Sequence, residues 1–261
     1  MSNRFHPFVC AWALAAVASA GAEPAVIGLA RAYLGPDSTL DSVRAIHFTG
    51  TLDRVDPDHA QGGVDHASFD LIVAKPARQR QIVHGKKATE TTVLDGYEAW
   101  DYLEDNTDPS RHVMTWLKAT DVKGLQASTW ENLYFFRGLA GEGAVVDRGP
   151  ATMEGVTCER VDFVHSPTVV FQRFFDRDSG RLVFTIVGNE TVREAGEIRV
   201  DGIRFPKTVV SSKKTASGKD LVSTVTFESI VLNEQPGPAT FAVPAPPPPK
   251  AASAAAGPPA K

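Results

Sequence analysis

Histidine and carboxylate side chains are the groups in this chain that could hold a metal ion or move a proton. Beyond the N-terminal stretch the histidines stand at His47, His59, His66, His84, His112 and His165. One group is dense enough to weigh: Asp56, Asp58, His59, Asp65 and His66, all within a short segment. Carboxylates with imidazoles are a donor set for a divalent cation. Their spacing matches no metal motif, however, and polar residues are what an exposed loop contains, so the segment reads as a solvated loop. No serine sits in a nucleophile elbow. Gly138, Gly141 and Gly143 lack both the preceding parallel strand and the following Lys-Ser or Lys-Thr of a phosphate-cradling loop. Carboxylates brought together from distant strands are the one catalytic pairing left open. The expectation is a protein with no catalytic residues, no metal and no cofactor.

What the chain offers instead is apolar surface. Between Asp105 and Gly149, Asp108-Pro109-Ser110 can start a helix and Gly138 or Gly141 can end one. Val113, Met114, Trp116 and Leu117 cluster, after which Val122, Leu125, Trp130, Leu133, Tyr134 and Phe136 recur at roughly helical intervals. Phe69, Leu71, Phe171, Phe175, Phe184 and Phe227 lie in strand-like stretches. Two readings fit these sets: a core in which helix packs on sheet, or the lid and lining of a cavity for an apolar chain.

Strands must position these residues. Val169 to Phe175, a turn at Asp176-Arg177-Asp178-Ser179-Gly180, and Leu182 to Val187 spell a hairpin. A break at Gly188-Asn189, then Thr191-Val192, Ile198 to Val200 and Asp201-Gly202 before Ile203 to Phe205 continue a meander. Neighbours joined by such short turns are antiparallel, because a parallel neighbour needs a long crossover. Earlier in the chain, Ile46, Phe48, Gly50 and Leu52 alternate with polar residues, and Asp95-Gly96 separates two further strands. Short helices are expected from Pro24 to Leu34 and from Ser38 or Thr39 to Arg44. The prediction is a mainly β protein of about ten to twelve antiparallel strands. A sheet that wide must curl or close, and the middle helical segment must cover one face of it.

The ends and the charge narrow the class. Residues 1–22 combine Arg4, an apolar run from Phe8 to Val17 and small residues around Ala20, which is a secretory signal pattern. From Pro244 onward the chain is nearly all Pro, Ala, Gly, Ser and Lys, a low-complexity tail that cannot bury a core. Residues 23–243 remain as one expected domain, exported and soluble. The formal charge of −4 gives no electrostatic footprint for nucleic acid. Of the two cysteines, Cys10 falls in the leader, so Cys158 has no partner for a disulfide.

Residues across the chain resemble the LolA-like periplasmic carriers that sort outer-membrane lipoproteins. These are Arg31-Ala32-Tyr33-Leu34-Gly35, Thr49-Gly50 in the first strand, Asp95-Gly96-Tyr97 before Trp100, Gly155-Val156, Ser179-Gly180-Arg181-Leu182, Asp201-Gly202-Ile203-Arg204-Phe205-Pro206 and Phe241-Ala242-Val243-Pro244. The resemblance runs from about Pro24 to Pro244. It implies an incomplete antiparallel β-barrel with helices across its concave face, and a periplasmic location. It further implies an apolar cavity for the acyl chains of a lipoprotein or lipid, and a membrane donor or acceptor as partner. The lining and lid would come from Trp116, Leu125, Trp130, Leu133, Tyr134 and Phe136 with Phe69, Leu71, Phe171, Phe175, Phe184 and Phe227. A sensor or protein-interaction module on the same scaffold is the alternative.

Overall fold

The computed structural model describes residues 23–58, 63–139 and 143–244. The expected leader, the tail beyond Pro244, His59 and Gly141 lie outside these residues. Helices α1 (Ala25–Leu34) and α2 (Asp37–Ser42) come first, the break between them falling at Gly35-Pro36 as predicted. Six strands follow: β1 (Ala45–Val55), β2 (Val64–Ala74), β3 (Arg78–His84), β4 (Ala88–Asp95), β5 (Glu98–Asp105) and β6 (His112–Trp116). Helix α3 (Ala119–Leu133) separates them from β7 (Ala144–Met153), β8 (Val156–Ser166), β9 (Val169–Asp176), β10 (Leu182–Val187) and β11 (Glu190–Ala195). The chain ends with β12 (Ile198–Val200), β13 (Ile203–Phe205), β14 (Thr208–Lys214) and β15 (Asp220–Leu232).

Thirteen of these strands form one antiparallel sheet in the order β6-β5-β4-β3-β2-β1-β15-β14-β11-β10-β9-β8-β7. Its two edges, β6 and β7, do not pair, so the barrel is incomplete. Alternation assigns the faces: Ile46, Phe48 and Leu52 of β1 turn inward with Phe69 and Val73 of β2 and Phe227 of β15, forming the main core. Helix α3 crosses this concave side, touching β2, β3 and β4 in one half and β9 in the other. Helix α1 lies over the other half, where Val26, Ile27 and Ala30 pack on Val161, Phe163 and Phe175. Gly180, with φ of 73°, lets the β9–β10 turn approach α1, since a Cβ there would collide with the backbone of Leu29 and Ala30.

Two expectations fail here. The segment after Asp108-Pro109-Ser110 is strand β6 and not the start of a helix: Trp116 pairs with Trp100 and Met114 with Tyr102 across β5. Pairing with an available neighbour outweighed an ambiguous apolar spacing. The meander is also interrupted. Strand β11 pairs directly with β14, so β12 and β13 leave the sheet as a separate hairpin. Ile203 and Phe205 of that hairpin are buried in the main core, so it folds back as a third cover over the concave face, beside α1.

On the convex face the chain after β15 is clamped to the sheet. His47 Nδ1 lies 2.7 Å from a Glu234 carboxylate oxygen and its Nε2 lies 2.9 Å from Asp70. Beyond it Phe241 is buried among Ala45, Ala74, Val93 and Trp100. Burial acts to lower the pKa of His47, but its hydrogen bonds and charge interactions with the two carboxylates outweigh that and raise it above the ordinary value. The clamp's contribution is therefore complete below the unfolded value of about 6.5 and fades as pH climbs through the higher folded one. Thermal unfolding of the full chain should show a loss of Tm across that window, and His47→Gln should lack it. Parallel profiles for the two proteins would rule the clamp out.

Candidate ligand chamber

Beneath the covers lies a chamber of about 320 Å³. Its floor runs along seven adjacent strands, from Leu71 on β2 through Phe48, Phe227, Val209, Val192 and Val187 to Phe171 on β9. Ser128, Glu131 and Asn132 of α3 close it from above, with Leu34 of α1 and Phe205 of β13. An adjoining cleft of about 330 Å³ shares Leu34, Phe136, Leu182, Glu194, Arg204 and Phe205 with it, and adds the polar groups of Tyr33, Arg181 and Glu197.

The end of α3 shapes this roof. Phe135 and Phe136 take φ of 47° and 65°, a left-handed pair just past the helix end at Leu133 that turns both rings inward. Phe135 stands edge-on to Phe205 at 6.2 Å, and Phe136 stands edge-on to Phe175 at 5.0 Å. Left-handed φ in such residues costs on the order of 1–3 kcal/mol each, so neighbours must hold it. Arg31 does so from α1. Its Nη1 donates to the carbonyl oxygens of Phe135 at 2.9 Å and Tyr134 at 3.3 Å, while Nε reaches Asp37 at 2.7 Å and Nη2 reaches Asp41 at 2.9 Å. One buried guanidinium thus joins α1, α2 and the end of α3. It also caps the Phe135 carbonyl and shares that of Tyr134 with the Arg137 backbone N–H.

A second charged group fixes the last turns of α3. Glu131 accepts from Arg173 of β9 at 2.8 Å and meets His165 Nε2 of β8 at 2.6 Å, and Thr129 donates to Gln79 of β3 at 3.1 Å. The helix is tied to both halves of the sheet. Arg173 lies over the rings of Phe136 and Phe163, at 4.7 and 5.2 Å, which offsets part of the cost of burying its charge. Glu194 also lines the chamber, and although its residue is only partly covered, desolvation pushes its carboxyl up despite the nearby Arg173 and Arg181.

Solved structures share this fold. A LolA superfamily protein from Nitrosomonas europaea superposes with a TM-score of 0.53 at 11% identity, covering 82% of this chain and 97% of that one. The fold is LolA-like. A DUF1329 family protein from Desulfovibrio piger matches with a TM-score of 0.53 at 8% identity, over 84% of this chain and 96% of its own. A domain described as an outer-membrane lipoprotein-sorting protein, from Vibrio parahaemolyticus, gives 0.51 at 8% identity over 82% and 95%. No protein-family model and no curated protein matches the sequence.

Within the LolA-like frame, Leu71, Phe136, Phe171 and Phe227 of the expected set line the chamber. Phe69 and Leu133 are buried in the core beside it, and Phe175 packs behind Phe136. Leu125 fills the gap between α3 and Leu94 and Ala99, away from the chamber. Trp130 and Tyr134 stack on each other at 3.5 Å, and Trp130 donates to the Gly138 carbonyl, so this pair braces the turn after α3 and lines neither the chamber nor the cleft. Phe184 faces the opposite side of the sheet with Phe174 and Cys158, because a register irregularity after Leu182 turns its side chain outward. Trp116 stands 57% exposed on edge strand β6, far from any lid. The acidic loop breaks up as well: Asp58 bonds Ser217, His66 bonds Asp53, and no metal-holding group occurs among the described residues.

Sequence reasoning missed Arg31, Glu131, Arg173, Glu194 and Arg204. Arg173 had a readable signal, since alternation puts it on the same face as Phe171 and Phe175, where an unpaired charge is costly. Arg31→Met should remove about 2 kcal/mol of unfolding free energy. Hydrogen exchange should also quicken at residues 134–137 ahead of the sheet. Exchange there unchanged from wild type would show that Arg31 holds nothing.

Proposed function

We propose that this chain is a periplasmic carrier that takes the acyl chains of a lipoprotein or lipid into the chamber and passes them to a membrane acceptor. Residues 1–22 serve as its export signal and 23–243 as the carrier domain. The observation that carries this reading is the partly open apolar floor beneath a cover of separate pieces. At about 0.8 kcal/mol per methylene, burial of a chain stabilises the complex in proportion to the length admitted. Opening the cover costs the contacts of Arg31 and of the Glu131 group, which keeps net affinity low enough for transfer. The volume sits at the lower end of the ~300–1,000 Å³ typical of ligand pockets. Longer chains need the adjoining cleft as well. Among the described residues no helix is long and apolar enough to cross a membrane, in keeping with a carrier that moves between membranes.

A second reading, a protein-interaction module, is favoured by β6. This edge strand presents Val113 and Trp116, 60% and 57% exposed, where a peptide could add as a further strand. Native mass spectrometry on full chain isolated from a bacterial envelope, with solvent extraction of any adduct, separates the two. A lipid adduct is expected, and Leu71→Trp, which fills the floor at β2, should lower its occupancy about tenfold or more with an unchanged circular dichroism spectrum. If the tryptophan variant retains lipid like wild type, the chamber is not the site. Protein that carries no lipid and takes none up moves the assignment to the module.

A further inference from the structure

The floor of the chamber is polar at one end only. Arg173 on β9 and Glu194 on β11 lie toward one side of the floor, while Phe48, Leu71 and Phe227, on β1, β2 and β15, form the other. Arg173 is 7% exposed, and only its Nη2 has a partner, Glu131; Nε and Nη1 find none among the described residues. Arg204 lines the same chamber and keeps its Nε unpartnered too, its Nη1 being taken by Glu197. A buried donor without an acceptor costs on the order of 1–3 kcal/mol, and an ionised acceptor relieves this more than a neutral one does.

Building on the carrier reading, we propose that the chamber selects a single-chain amphiphile with a free carboxylate head, held by the Arg173 guanidinium, two of whose buried donors have no acceptor, its chain lying toward Phe48, Leu71 and Phe227. The acyl chains of a lipoprotein are amide- or ester-linked and carry no such charge, so the cargo this site fits is a free fatty acid. Two features favour a monoanion over a phosphate head. Glu131 and Glu194 line the same chamber and would repel a second negative charge. A volume of about 320 Å³ also leaves little room beyond one chain.

Calorimetric titration of the delipidated full chain with lauric acid, dodecanol and methyl laurate tests this at about pH 8, where a free carboxyl is ionised. The acid should bind at least about tenfold more tightly than the alcohol or the ester. In the double variant Glu131→Gln/Arg173→Met, which removes both buried charges together and so leaves neither unpaired, that preference should vanish while the alcohol still binds. Equal binding of all three by wild type, or a preference that survives the double variant, overturns the headgroup assignment and leaves the carrier reading standing. Failure of all three to bind overturns both.

Discussion

An antiparallel sheet that curls without closing has an inner face too apolar for water and too wide for one helix to cover. Everything else in this molecule answers that constraint. The core side chains of β1, β2 and β15 stand on the concave face, and the chain returns to it three times: through α1 and α2 before the first strand, through α3 between β6 and β7, and through the β12–β13 hairpin late in the sequence. None of the three could bury its own apolar side alone. Helix α1 spans ten residues, too few to persist in isolation, and β12 and β13 have three residues each. Cover and sheet must form together.

Because the cover is assembled from pieces, it meets itself at seams, and the seams are where buried charge is found. Arg31 lies where α1, α2 and the end of α3 converge, and the Glu131 group lies where α3 crosses onto β8 and β9. An apolar replacement at such sites is often as stable as the ion pair or more so. Directional bonds do something that apolar contact does not: they fix the rotation and position of a short helix on a smooth surface. Leu133 or Val122 could settle in several registers, whereas a carboxylate 2.6 Å from one ring nitrogen and 2.8 Å from one guanidinium nitrogen has a single solution. The seams therefore specify where the cover sits, and they are also the contacts that must part for it to lift.

This division explains what could be read from the residues. Hairpins written in turn chemistry were legible. Asp201 and Gly202, with φ of 50° and 82°, form the tight turn that the dipeptide implies, and Ser179-Gly180 ends the β9–β10 turn. Alternation placed Phe48, Leu71, Phe171 and Phe227 on inward faces. Long-range choice was not legible: nothing local in Ile198 to Phe205 says that this hairpin leaves the sheet, since β11 selects β14 by a register that spans the insertion. Phe184 illustrates a smaller failure, in which one register irregularity after Leu182 reverses every inference of facing beyond it. A cavity is harder still, because it is a difference between the space enclosed and the side chains that fill it, and no single residue carries that difference.

That the chamber stays unfilled follows from how its roof is made. A helix continuing straight past Leu133 would lay Phe135 and Phe136 on different sides of one cylinder. The left-handed turn at these two residues splits them, so that Phe135 joins Phe48 and Phe205 in one cluster and Phe136 joins Phe163 and Phe175 in another. The floor between the two clusters is left beneath a turn of α3 whose downward residues are Ser128, Glu131 and Asn132, which are short or charged and do not fill it. Backbone strain at the helix end, held by the Arg31 guanidinium, is thus the local cause of the open space.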